Sequence, residues 1–277
     1  MGVRSVLQQL HWLNLDVAAG AALCAAAASR LPDGKGEINY TAIAVLTLTV
    51  WLIYTVDRLL DIRKKPIPAT PRHQFHAQHA DLFWKVSAGV AVLAGILTLF
   101  LPFPLIRFGL ILSGVVGLYL FMVNKLAPKS KMYLLKEPIT ACVYAAGIWG
   151  VAFTQQRFIP WQDQALAVMF ALIAFQNLIL FSWMETQSGK LYASNLASLL
   201  RDGIPDLLMY LIIGGIAVLF LSISFTEVLP YQRRFAFTEL FMSLVLVEIR
   251  RDYPFYLTNE RYRWIGDGIF LLPFWLL

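Results

Sequence analysis

Long apolar runs alternate with short polar connections along almost the whole chain. The runs cover residues 12–29, 40–60, 83–103, 104–123, 138–154, 166–184, 207–225, 235–249 and 264–277. A helix needs about 20 apolar residues to cross a bilayer, and most of the runs approach that length. A helix also satisfies its own backbone hydrogen bonds, which lipid cannot do. The pattern therefore predicts an all-α, polytopic membrane helical bundle of about nine transmembrane helices. The connections are too short for a separate soluble domain, so residues 1–277 are expected to form a single integral-membrane domain. The first run follows Arg4, is rich in alanine and ends in small residues near Ser29, features shared with a secretory signal peptide. Asp16 within it favours a span instead, as does the lack of a soluble domain to export.

Composition agrees with the pattern. Hydrophobic residues make up 58% of the chain and charged ones 14%, whereas an ordinary soluble domain is about one quarter charged. The net charge of +6 is read as topology rather than as nucleic-acid affinity. With nine spans, 17 of the 23 Lys and Arg fall on the side of the amino terminus. Arg30, Lys35, Arg107, Arg157, Arg233 and Arg234 fall on the other. The positive-inside rule then predicts a cell inner-membrane protein with its amino terminus cytoplasmic and its carboxyl terminus outside. Cys24 and Cys142 lie within apolar runs and are expected to be packing residues.

The connections on the basic side are the longer ones. Thr70 and Pro71 form an N-cap and N1 pair, predicting a helix over 71–84 that starts at the membrane surface and enters the third span. Gly189 and Gly203 bracket a Leu-rich stretch that predicts a short amphipathic helix in the interface.

Candidate chemistry begins where the second span ends. Asp57 and Asp61 are four residues apart, which places both carboxylates on one helical face with Tyr54 a turn earlier. Such a pair can hold a hard cation such as Mg²⁺ that bridges to a phosphate; pairing of Asp57 with Arg58 or Arg63 is the plainer alternative. Leaving either carboxylate unpaired at a span's centre would cost about 2.5–3.5 kcal/mol. In the sixth span Asn177 and Glu185, eight apart, share a face, with Ser182 three residues before Glu185, and their oxygens could look across a common cavity to those of the second. Arg72, His73 and His76 suit phosphate oxygens or lipid headgroups. The regular spacing of His73, His76 and His79 also admits a zinc site. Lys125, Lys129, Lys131 and Lys136 could neutralise a diphosphate or simply set orientation. Asp16, an acid deep in an apolar run, should face the bundle interior or a wet cavity.

The Asp57-Arg58-Leu59-Leu60-Asp61 stretch resembles the UbiA superfamily of intramembrane prenyltransferases, whose second span ends in N-D-x-x-D-x-x-x-D. Asp57 and Asp61 match the last two acidic positions, while Ile53 and Tyr54 stand at the first two. Leu13-Asn14-Leu15-Asp16 with Gly20 is similar to the family's L-R-L-D-K-P-x-G, without the Arg and the Lys-Pro. Ser182 and Glu185 lie near the positions of the second acidic motif. The resemblance implies Mg²⁺-dependent transfer of a prenyl group from an isoprenoid diphosphate to a lipophilic, membrane-embedded acceptor. Asp57, Asp61 and Glu185 would be catalytic, and with Asn177 would hold Mg²⁺. Tyr54, Arg63, Arg72, His73, Lys131, Lys136, Asn177 and Ser182 would contact substrate. The eroded second motif leaves two alternatives: a noncatalytic lipid-binding or transport protein, or a UbiA-type terpene cyclase.

Overall fold

The computed structural model describes residues 10–63, 71–125, 131–188, 195–200 and 203–277, and all regular structure among them is helical. The helices are α1 (Leu15–Ser29), α2 (Tyr40–Asp61), α3 (Pro71–Gln78), α4 (Ala80–Thr98), α5 (Phe103–Lys125), α6 (Lys136–Phe153), α7 (Trp161–Gln187), α8 (Leu196–Leu199), α9 (Ile204–Ser224), α10 (Pro230–Arg251), α11 (Tyr253–Leu257) and α12 (Arg261–Gly268). Short 3₁₀ turns cover Lys131–Leu135, Thr258–Glu260 and Ile269–Leu276.

Each of the nine apolar runs is helical over most of its length. Five helices, α2, α4, α5, α7 and α9, are long and apolar enough to cross a membrane, the pattern of an integral membrane protein. The other four runs depart from the expectation for separable reasons. Helix α1 has 15 residues, a rise of about 22 Å against a hydrocarbon core of about 30 Å. Helix α6 opens on Lys136 and Glu137, and α10 carries Glu239 within it and arginines at both ends. The last run changes from α-helix to a 3₁₀ segment containing Pro273. The helix expected over 71–84 does begin at Pro71, but it breaks at His79, where φ is −117°, and restarts as α4.

Helix α7 is the hub, with 61% of its most apolar stretch buried, against 6% for α5 at the rim. It packs against α6, α9 and α10. Leu110 and Leu118 on α5 and Leu211 and Val218 on α9 stay exposed, a broad apolar surface suited to lipid. Small residues decide the other close contact. Helix α1 lies along the carboxyl-terminal 3₁₀ segment because Ala21, Ala25 and Ala28 leave almost no side-chain bulk. At Gly20 a Cβ would come within 2.9 Å of the Phe270 Cβ. Cys24 packs here too, donating from Sγ to the Phe270 carbonyl at 3.2 Å.

A polar seam joins α7 to α10. Gln232 Nε2 donates to Asp163 Oδ1 at 2.7 Å, and Ser243 Oγ donates to Gln176 Oε1 at 2.7 Å. Between these pairs Glu239 is fully buried, and neither carboxyl oxygen has a partner among the described residues.

Candidate functional site

The bundle gathers its charges where α2 ends and α6 begins. The last two turns of α2 present Tyr54, Asp57 and Arg58, whose helical spacing aims them at one cavity of about 190 Å³. The first turn of α6 adds Lys136, Glu137 and Thr140; the last turns of α7 add Ser182 and Glu185; α12 adds Arg263. Tyr119 from α5 shares a 2.9 Å hydrogen bond with Thr140 at its wall. Six of the lining residues, Tyr54, Arg58, Thr140, Leu178, Phe181 and Arg263, also wall a smaller adjoining cavity of about 90 Å³. Asn177, Tyr144, Asp267 and Phe270 also line that second space.

Burial works against the Lys136 ammonium, and the neighbouring groups that favour it are Asp57, Asp61, Tyr119 and Glu137, in that order. The two α2 carboxylates therefore act on an α6 cation across the helix boundary. On the opposite wall Arg263 Nη2 donates to Glu185 Oε1 at 2.5 Å, and its guanidinium lies 5.5 Å from the Phe181 ring centre.

Residues 195–200, the described part of the connection between α7 and α9, lie against this cavity. Asn195 caps the single turn of α8 by accepting from Ser198 N at 2.9 Å. Its Nδ2 donates to Glu185 Oε2 at 3.2 Å. Leu196 N donates to Glu137 Oε1 at 2.9 Å and Ala197 N to Ser182 Oγ at 2.8 Å. The strap at 195–200 is thus pinned by three side chains of the cavity itself. The interfacial helix expected over 189–203 is one helical turn among its described residues.

Of the residues singled out in the sequence, Tyr54, Asp57, Lys136, Ser182 and Glu185 line the same cavity. Asn177 lines the adjoining one, where its Oδ1 has no partner among the described residues. Asp61 lies a turn beyond Asp57 and does not line either space, acting instead on Lys136. Arg63 is placed elsewhere, with its guanidinium 4.9 Å from the Trp84 ring centre. Arg72 and His73 lie in α3 and Lys131 in the 3₁₀ turn before α6, but their side chains, with Lys129, lie outside the described residues. His76 stacks on Phe83 at 4.5 Å, and His79 Nδ1 is hydrogen-bonded to the Phe75 carbonyl at 2.9 Å. The zinc reading gains nothing from these two. Glu137, Asn195 and Arg263 were not singled out as site residues. Glu137 carried one signal, an acid at the mouth of an apolar run.

No family model, curated protein or solved structure matches the chain.

The donor set bears on whether Mg²⁺ fits. Glu185 has both carboxylate oxygens engaged, by Arg263 and Asn195. Glu137 has one oxygen on Leu196 N, while Oε2 is buried without a partner among the described residues. The carboxylates that fit a cation here are accordingly Asp57 and Glu137, rather than Asp57 and Glu185.

Proposed function

We propose that this cavity binds the diphosphate of an isoprenoid diphosphate and that the protein transfers the prenyl group to a lipophilic acceptor, on a bundle of nine spans with the UbiA-like arrangement. The observation that carries the reading is the convergence of Asp57, Lys136, Glu137 and Arg58 on one cavity that opens onto an aromatic one. Arg58 and Lys136 supply donors for phosphate oxygens. Asp57 and the free oxygen of Glu137 would hold Mg²⁺, which neutralises charge growing on the departing diphosphate. The bond broken is the allylic C–O bond, whose electron pair leaves with diphosphate. The acceptor's nucleophile forms the new bond to that carbon and then loses its proton.

The chain's own contribution is placement. Tyr54, Tyr144, Phe181 and Phe270 line part of the smaller cavity, where ring faces favour a developing carbocation. A separate apolar cavity of about 580 Å³ lies among α5, α6 and α7, and Ala141 lines both it and the aromatic space. It offers room for an isoprenoid tail. The same reading places the cavity at the cytoplasmic surface, where most of the Lys and Arg gather.

Purified protein given geranylgeranyl diphosphate, Mg²⁺ and a membrane-lipid extract as acceptor source should release inorganic diphosphate and form a prenylated lipid. Lys136→Met should slow release about 100-fold, as loss of a preorganised donor does. One observation favours a second reading. Because Glu185 is committed to Arg263 and Asn195, the site also suits a noncatalytic protein that holds a phosphorylated lipid. Tight binding with no diphosphate release would select that reading, and release without a prenylated product would select cyclisation.

A further inference from the structure

We propose that His11, Asp16 and Asp267 form a binding site for a first-row divalent metal ion, Zn²⁺ or Mn²⁺, that clamps the start of the chain to its end. None of the three lines the larger charged cavity, although Asp267 also lines the smaller one, and the proposal does not depend on the transferase reading. His11 Nδ1 and one oxygen from each carboxylate lie within 4.8 Å of one another. Ligands of a tetrahedral ion at about 2.0–2.2 Å stand about 3.3–3.6 Å apart. Asp267 Oδ2, 4.0 Å from His11 Nδ1, needs only a small inward movement, while the 2.5 Å His11–Asp16 contact opens as the ion replaces its proton.

The local fold is built to bring these groups together. His11 and Asp16 are five residues apart, a spacing at which side chains on a regular helix diverge. Asn14 adopts a left-handed conformation, with φ 57°, and turns the chain so that His11 Nδ1 meets Asp16 Oδ2 at 2.5 Å. Trp264 stacks on the imidazole with ring centres 5.9 Å apart, and Asp267 arrives on the same helix, α12, as Trp264. His11 is buried, and both carboxylates are largely so.

A second observation points to a ligand. Asn177 is 4% exposed and lines the small cavity together with Asp267, yet its Oδ1 has no partner among the described residues. A Cβ on Gly266 would come within 2.6 Å of that oxygen, so it lies against the backbone beside Asp267. An ion's coordinated water would satisfy this acceptor. The set's two carboxylates match a divalent charge. One imidazole among the donors favours Zn²⁺ over Mg²⁺, and the two carboxylates keep the set open to Mn²⁺.

The test uses the full chain in detergent, stripped with chelator and titrated with ZnCl₂, MnCl₂ or MgCl₂. Wild type should bind one Zn²⁺ that Mg²⁺ does not displace, and bound Mn²⁺ should show a nitrogen coupling in its electron spin-echo spectrum. His11→Gln and Asp267→Asn should each weaken Zn²⁺ binding about ten-fold or more, while Asp57→Asn should not. Absence of stoichiometric Zn²⁺ in the wild type, or a Mn²⁺ spectrum without nitrogen, overturns the proposal even if the variants fail to fold. Equal affinity in folded His11→Gln and wild type overturns it as well.

Discussion

Replacing Arg263 tests how the candidate cavity is held together. The residue is 7% exposed, donates to Glu185 at 2.5 Å and lies 5.2 Å from the Tyr262 ring centre. Removing one partner of a fully buried pair costs about 3–5 kcal/mol. Glu185 is 35% exposed, so water can resolvate its charge, and the pair is expected to couple by only about 1–2 kcal/mol. Arg263→Ala also forfeits ring contacts worth about 0.5–1 kcal/mol each, for a total loss of about 2–4 kcal/mol. Arg263→Met keeps most of the packing and should lose about half as much. The assay is reversible denaturation in mixed detergent micelles, run as a double-mutant cycle with Glu185→Gln. A coupling energy within error of zero, with Arg263→Ala as stable as wild type, would refute the claim that this pair braces α7 against α12.

Three further outcomes follow from other parts of the bundle. Glu239→Leu removes two buried oxygens that lack partners among the described residues and should raise stability by about 1–3 kcal/mol in the same assay; a loss would mean that the carboxyl is satisfied. Gly20→Ala forces a Cβ against Phe270 and should lower stability by about 1–3 kcal/mol, whereas Gly95→Ala, with open space around it, should be neutral or slightly stabilising. Glu137→Leu frees the Leu196 amide, whose hydrogen exchange should quicken about ten-fold or more; an unchanged rate would mean that the strap is held by Ser182 and Glu185 alone.

The apolar runs were legible because burial in lipid demands a composition that connections do not share. All nine appear as helical segments, and the start of α3 at Pro71 was readable from the ring's fixed φ. Asp57 and Tyr54 were placed on one face by helical periodicity alone, and that face does line the cavity. What the sequence hid depended on packing between distant elements. Arg263 counted only as a topology charge until α12 folded under α7 and brought it to Glu185. Asp16 stood out as an acid in an apolar run, but its partner His11 did not, because their meeting needs the left-handed Asn14. Glu185 looked available for a metal from its helical face, and tertiary contacts with Arg263 and Asn195 occupy it. The last run read as a span from hydropathy, which carries no information about its change to 3₁₀ geometry at Ile269.

The most direct measurement is equilibrium binding of farnesyl diphosphate to the purified protein, with and without Mg²⁺, for wild type and Asp57→Asn. The account predicts saturable binding that strengthens with Mg²⁺ and loses that dependence in Asp57→Asn. Binding of equal strength in both proteins, indifferent to Mg²⁺, would contradict it.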